Sequence, residues 1–432
     1  MGIELIGLIG VVVLIIFLFC GMWLGFAMGF IGFLGLVYIS GFNGAVKVLA
    51  TIPYSYTAFY PISALPLFVL MGVVVGAAGL STDLYGTAHK WFGRFPGGLA
   101  ISTVFASGGF AAITGSSAAA VVTLGTVALP EMKKFHYSEK LAAGTIAAGG
   151  TLGILIPPSL GFILYAILTE ESIGRLFMAG IIPGILEVLF YTVTILIVCW
   201  INPSMGPRGP KTGFREKIYS LRNTWPVLIL FVLIIGGIYG GIFTPTEAGA
   251  IGAFGSMLIV VVMGRIKVLG LFDSIMEALK MTGMIFILVL GAFTFGHFLA
   301  LSKLPFLLSD FVTGIAMSRY VALLAIILLY IILGMFLEIF SSIVLTVPIL
   351  FPTVVALGFD PIWFGVLMVR VMEIGLITPP IGMNVFMLAG VSDTPLSTIF
   401  RGIVPFLIAD FCHVALLVAI PQLSLFLPNT MF

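Results

Sequence analysis

Long apolar runs, interrupted by glycine, proline and small clusters of charge, recur along almost the whole chain. Runs near 5–20, 22–40, 62–80, 141–168 and 175–200 come first, then a polar and basic interval at 203–223. The series resumes near 224–243, 246–263, 282–302, 362–390 and 402–427. A helix of about 20 apolar residues crosses roughly 30 Å of hydrocarbon, so these runs predict about ten membrane-crossing helices. Two further stretches, 96–131 and 319–352, have limbs of only about 15 residues on each side of a polar break, a length that suits re-entrant hairpins better than full spans. The breaks are Thr114-Gly115-Ser116-Ser117 and Glu338-Ile339-Phe340-Ser341-Ser342.

The second half repeats the first at an offset of about 222 residues, the kind of internal period that marks a duplicated architecture. Gly153-Ile154-Leu155-Ile156-Pro157-Pro158 falls on Gly375-Leu376-Ile377-Thr378-Pro379-Pro380. At the same offset Gly180-Ile181-Ile182-Pro183 falls on Gly402-Ile403-Val404-Pro405, and Leu129-Pro130 on Phe351-Pro352. The expected organisation is repeat 1 over 1–202, a cytoplasmic linker at 203–223 and repeat 2 over 224–432. Each repeat would hold scaffold helices, an arm (42–60 or 266–281), a hairpin and a broken helix (141–168 or 362–390). Five crossings plus one hairpin is an odd number, so the second copy would lie inverted relative to the first. The second arm, with Lys267, Asp273, Glu277 and Lys280 among apolar residues, reads as an amphipathic interfacial helix.

Composition agrees with a lipid-solvated chain: 61% of the 432 residues are hydrophobic and 8% charged, where soluble domains carry about 25% charge. A formal net charge of +2 gives no ground for a nucleic-acid partner. The positions of the charges are more informative than their sum. Placing the N-terminus outside puts about fourteen Lys and Arg on the cytoplasmic side, as the positive-inside rule requires. These include Lys90, Arg94, Lys133, Lys134, Lys140, the cluster from Arg208 through Lys211 to Arg222, Arg265, Lys267, Lys280 and Arg401. Lys47, Arg175, Lys303 and Arg319 would lie outside, and Arg370 within the bilayer. The first hairpin runs into Lys133 and Lys134, whereas the segment after the second carries only Asp360, so one opens inward and the other outward.

No positive n-region precedes the first apolar run, since the first basic residue is Lys47, and the N-terminus is expected to be retained. Ile6 stands where myristoylation of Gly2 would want Ser or Thr. Cys20, Cys199 and Cys412 are isolated in apolar runs, so neither a disulfide framework nor a metal site is expected. The GxxxxGK[ST] loop of nucleotide hydrolases is absent, as are HExxH and GxSxG. Uphill work by this chain would draw on an ion gradient or on another subunit, not on ATP bound here, and an enzymatic role has no motif to support it.

Inverted repeats with paired broken helices point to a secondary transporter, in which freed carbonyls and helix ends hold ions and substrate near the midplane. Pro157-Pro158 and Pro379-Pro380 remove amide donors and disfavour helix before them. Carbonyls of Gly149, Gly150 and Thr151, and of Gly375 and Thr378, are therefore expected to be free. Facing hairpin tips would add Gly115, Ser116 and Ser117, or Ser341 and Ser342. Neutral oxygens in that number suit Na+; the alternative is that these small residues only let helices pack closely. Arg370, Glu373 and Glu338 are the ionisable residues expected deepest, where a charge costs about 2.5–3.5 kcal/mol. Arg370 and Glu373, three apart on one helix, either neutralise each other or form a substrate site with Glu338, the guanidinium forking onto a carboxylate. Thr244-Pro245-Thr246-Glu247 reads as a helix cap. His297 and His413 lack partners at metal spacing and read as core or interface residues.

Gly241-Ile242-Phe243-Thr244-Pro245-Thr246-Glu247-Ala248, the two double-proline segments, Leu176-Phe177-Met178-Ala179-Gly180-Ile181-Ile182-Pro183-Gly184 and the paired hairpins together resemble the large membrane subunit of tripartite ATP-independent periplasmic (TRAP) transporters. The resemblance covers essentially the whole chain. It implies an all-α polytopic protein of the bacterial inner membrane that imports carboxylate substrates with Na+ by an elevator motion. It implies two partners, a small four-helix membrane subunit, here expected to be separate, and a periplasmic substrate-binding protein. Substrates of such transporters include sialic acid, C4-dicarboxylates and other sugar acids. Glu373 stands where dicarboxylate-type members carry a small polar residue, which favours a larger hydroxylated monoacid, sialic acid first. The rival reading is a stand-alone dicarboxylate- or citrate-type Na+ symporter that needs no binding protein.

Overall fold

The computed structural model describes residues 2–209, 212–266, 268–314 and 318–431. Lys211 and Lys267, both assigned above to the cytoplasmic side, lie outside the described residues. Helices make up the secondary structure, with no strand among the described residues. The first half comprises α1 (Ile3–Phe19), α2 (Leu24–Thr57), α3 (Ala64–Ala77), α4 (Leu80–Phe92), α5 (Gly98–Thr114), α6 (Ser117–Lys134), α7 (Glu139–Leu155), α8 (Leu160–Thr169) and α9 (Ile173–Ile201). The second comprises α10 (Phe214–Tyr239), α11 (Pro245–Val262), α12 (Val268–Leu301), α13 (Leu304–Gly314), α14 (Arg319–Phe336), α15 (Ile339–Ala356), α16 (Pro361–Gly375), α17 (Met383–Val391), α18 (Leu396–Ala419) and α19 (Gln422–Asn429).

Starts at 98, 117, 139 and 160 for α5–α8 are matched by 319, 339, 361 and 383 for α14–α17, a separation of about 222 residues throughout, which is how a sequence period becomes a structural one. Nine described helices are long and apolar enough to cross a membrane, or ten if the bent pair α7–α8, which turns by 41°, counts as one span. That count includes α14 and α15, read from the sequence as the limbs of one hairpin. It leaves out α1, which is 17 residues long. Large apolar side chains such as Phe30, Trp200, Val232 and Phe254 point outward, as they do where lipid replaces water as solvent.

Several boundaries differ from the sequence reading. The arm 266–281 is not a separate helix, because α12 continues from it into the following span without a break. Its counterpart is set off only by a kink in α2 at Gly41, whose φ of 75° lies in the region that favours glycine. The basic linker is partly helical, since α10 begins at Phe214. Short helices α4 and α13, not expected from the sequence, follow the runs near 62–80 and 282–302.

The two longest helices, α2 and α12, cross closely. A Cβ at Gly291 would lie 2.1 Å from the Gly25 carbonyl oxygen, and one at Gly32 2.8 Å from the Phe295 backbone nitrogen. Small residues at such a crossing let backbones touch, which is the main source of helix affinity where no hydrophobic drive acts between spans. Beside this crossing α5 and α6 pack on each other and on α7, and α14 and α15 do the same with α16, α15 also touching α12. The half-length helices interlock: α8 packs on α15, and α17 on α6.

Candidate functional site

The turn Gly115-Ser116 joins α5 to α6 and rests on α7. Gly115 has φ +58°, and a Cβ there would approach the Leu160 backbone nitrogen to 3.4 Å and the Pro158 carbonyl to 3.5 Å. Ser116 is the N-cap of α6, its Oγ accepting from the Ala119 amide at 3.3 Å. Ser159 caps α8 in the same way, accepting from Phe162 at 3.3 Å. The N-termini of α6 and α8 therefore meet at this tip, each carrying about half a positive charge from its aligned peptides. A cavity of about 240 Å³ opens beside them, lined among others by Thr114, Ser116, Ala119, Thr123, Leu160 and the exposed Glu277 of α12.

The trio Gly149, Gly150 and Thr151 does not face one site. α7 stays helical to Leu155, so successive residues diverge by about 100° around its axis. Gly150 and Gly153 receive the backbone of Ser116 and Ser117, Gly149 faces the Ser107 hydroxyl, and Thr151 points to α9. The unwinding expected upstream of Pro157-Pro158 is thus confined to 156–159. Prolines at 157 and 158 deprive only the carbonyls four residues back, Gly153 and Ile154, of their donors. Those two, with Leu155 at the helix end, are the carbonyls released, not the three named from the sequence.

At the second tip, Leu337-Glu338 joins α14 to α15. Ser342 is fully buried, with an Oγ that has no hydrogen-bond partner. Ser341 and Glu338 line a cavity of about 170 Å³ with Trp23, Phe26, Met284 and Phe340. Glu338 is accessible from this cavity and is not among the partners of Arg370. Gly375 packs against the Gly334 backbone of α14, and its carbonyl accepts from the Thr378 amide at 3.1 Å. The Thr378 hydroxyl donates back to the Ile374 carbonyl at 2.6 Å. Gly375 therefore does not offer the free carbonyl expected of it, whereas the Thr378 carbonyl accepts no backbone hydrogen bond among the described residues. The break itself spans 376–382, where the Leu376 and Thr378 carbonyls turn towards Gly382, φ +62°.

Arg370 and Glu373, both fully buried, lie in a different place from either tip. Arg370 Nη1 is 2.8 Å from Glu187 Oε1 of α9 and 3.4 Å from Glu373 Oε2. Nη2 pairs with Asp410 of α18, and Nε donates to His413 Nδ1 at 3.0 Å. Thr151 Oγ1 joins the group from α7, 3.2 Å from Glu187 Oε1 and 3.1 Å from the Tyr191 hydroxyl. No face of the guanidinium is left for a substrate carboxylate. Of the two roles left open for Arg370, charge neutralisation is the one the geometry satisfies, through three carboxylates instead of one.

Sequence reasoning missed Glu187 and Asp410, although the signal was present. Each is an acid in the middle of an apolar run, which in a membrane calls for a partner. His413 took its place because it stands one helical turn from Asp410 on α18. At the start of α11, Thr244 and Glu247 form a capping box: the Glu247 amide donates to Thr244 Oγ1 at 3.3 Å and the Thr244 amide to Glu247 Oε2 at 2.8 Å.

Nine or ten apolar spans, two tips that join paired helices and cavities beside both define a polytopic membrane transporter. The chain belongs to the family described as tripartite ATP-independent periplasmic transporter, DctM component, whose model matches residues 11–423. Among curated relatives, the C4-dicarboxylate TRAP transporter large permease protein DctM of Pseudomonas aeruginosa is 37% identical over 89% of this chain and 90% of its own length. The sialic acid TRAP transporter large permease protein SiaM of Vibrio cholerae is 34% identical over 95% of this chain and 96% of its own length. The crystal structure of the Alcanivorax borkumensis YdaH transporter superposes with a TM-score of 0.66 at 15% identity, covering 88% of this chain and 89% of that one, a likeness of fold. The protein is thus a multi-pass transporter subunit of the bacterial inner membrane and not an enzyme.

Proposed function

We propose that this chain is the substrate-translocating subunit of a Na+-coupled importer of organic acids. It would work with a small four-helix membrane subunit and a periplasmic binding protein that delivers the substrate. The observation that carries the reading is the cavity at the α5–α6 tip, where the N-termini of α6 and α8 converge on one side. Two positive helix ends and the Ser116 hydroxyl suit a carboxylate without a buried cation, held against them and opposed only by the exposed Glu277 of the α12 wall, so the anion site moves from Arg370 to this tip. Na+, as co-transported ion, fits the second tip and the two breaks. Ser342 Oγ is buried there without a partner, and a hard cation takes such neutral oxygens together with released carbonyls.

The two hairpins and broken helices, interlocked through α8 on α15 and α17 on α6, form the unit that would slide as an elevator within a scaffold built on the α2–α12 crossing. In this reading the halves are inverted copies and the two tips serve opposite sides of the membrane. The preference for sialic acid rested on Glu373 beside the substrate. With Glu373 enclosed against Arg370 that argument falls, and sialic acid, a C4-dicarboxylate and other sugar acids stand equally.

Uptake into proteoliposomes tests the proposal. Transport of a radiolabelled acid should require this chain, the small subunit, the loaded binding protein and an inward Na+ gradient together. Uptake by this chain alone would favour the stand-alone symporter, and uptake indifferent to Na+ would remove the coupling ion.

A further inference from the structure

We propose that the cluster around Arg370 is a proton-binding site, with the proton held on Glu373. One guanidinium faces three fully buried carboxylates, Glu187, Glu373 and Asp410. His413 adds no compensating charge. Its Nδ1 accepts from Arg370 Nε, so that nitrogen bears a lone pair and the neutral ring carries its proton on Nε2. Fully ionised, the cluster would bury a net charge of about minus two, an arrangement whose desolvation cost is met in practice by neutralising a carboxyl.

Four buried atoms also lack partners: Glu187 Oε2, Glu373 Oε1, Asp410 Oδ2 and His413 Nε2. A metal ion set among these carboxylates would have to share them with the Arg370 guanidinium, a like charge already 2.8 and 3.4 Å from two of them, and no group of three or more His, Cys, Asp or Glu among the described residues is arranged to hold one. A proton remains. Binding it converts a carboxylate and a hydronium-derived H+ into a neutral carboxylic acid, with no other bond made or broken.

Geometry selects the carboxyl. Glu187 takes the 2.8 Å contact with Nη1 and the Thr151 hydroxyl, and Asp410 takes Nη2. Glu373 shares Nη1 at 3.4 Å, the longest of the three contacts, and its other oxygen meets no donor. It is the least compensated of the three and the one that gains most by being neutral. The remaining elements packed on α16 bring no ionised partner to the cluster. Tyr165 of α8 donates to the Pro361 carbonyl, Tyr330 of α14 is bonded to Thr346, and α15 and α19 carry no ionisable side chain. Tyr191 of α9 stands beside Thr151 as a neutral hydroxyl. The cluster joins the two halves, since Glu187 and Thr151 come from the first and Arg370, Glu373 and Asp410 from the second, and the proton lowers the charge buried between them. This goes beyond the transport reading and does not depend on it.

Infrared spectroscopy of the purified full chain in lipid nanodiscs at neutral pH tests the assignment through the C=O stretch of protonated carboxyls. Glu373→Gln keeps the shape of the acid without its proton and should remove one such band. Glu373→Asp is the second variant, used if the amide does not fold, and should move the same band without abolishing it, while Glu187→Asp and Asp410→Glu, which keep the charge of the cluster, leave its frequency in place. A band that shifts in Glu187→Asp or Asp410→Glu and not in Glu373→Asp would overturn the placement on Glu373. A band unchanged in all of these and in the Glu373 variant that folds would overturn the proton site.

Discussion

Arg370 Nη1 of α16 lies 2.8 Å from Glu187 Oε1 of α9, and both side chains are wholly buried. These residues are 183 positions apart and come from different halves of the chain, so their pairing fastens one half to the other in the interior. Removing one member of such a pair strands the other charge, which usually costs more than the pair contributes.

Arg370→Met should therefore lower stability by about 3–5 kcal/mol. Arg370→Lys should recover only part, since a single ammonium lacks the planar fork that meets four acceptors on three sides. Denaturation of both variants in detergent checks this, and a wild-type midpoint for Met would sink the structural role assigned to the cluster.

Thr151→Val keeps the volume of the side chain while removing the hydroxyl shared by Glu187 and Tyr191. A loss of about 1–2 kcal/mol in stability is expected, with the Na+ concentration for half-maximal uptake unchanged. A marked rise in that concentration would return Thr151 to the ion site proposed from the sequence.

The two tips should separate by ligand. Ser342→Ala should raise the Na+ requirement about tenfold, in line with the loss of one ligand to a charge, while Ser116→Ala should raise the KM for the acid. Kinetics measured with each ligand varied in turn distinguish the two, and interchange of the effects would reverse the assignment of tips.

At the α2–α12 crossing, Gly291→Leu must force the backbones apart, because its Cβ would sit 2.1 Å from the Gly25 carbonyl oxygen. A destabilisation of about 1–3 kcal/mol or more is expected. Gly29→Ala is the control, its Cβ meeting only Gly291 Cα at an ordinary 3.8 Å. Equal midpoints for the two variants would argue against a close crossing.

Thr244→Ala removes the oxygen that accepts from the Glu247 amide. The expected cost is about 0.5–2 kcal/mol, read as a lowered unfolding midpoint with the helix content unchanged. A neutral result would mean that the cap is dispensable once α11 is packed.

What the chain determined by itself was set by local chemistry and by the solvent it must meet. Apolar run length gave the spans, the double prolines marked the breaks, and Thr244 and Glu247, three residues apart, wrote their own cap. The period of about 222 residues was legible because Gly and Pro punctuate both halves at matching places. Tertiary structure decided everything that depends on rotation about a helix or on distance across the bundle. Gly149, Gly150 and Thr151 are neighbours in sequence but point three ways, because a helix carried to Leu155 turns each residue about 100° from the last. Glu187, Asp410 and His413 reach Arg370 only because α9 and α18 pack on α16. A sequence shows that a buried charge must have partners; only the packed helices show which ones it has.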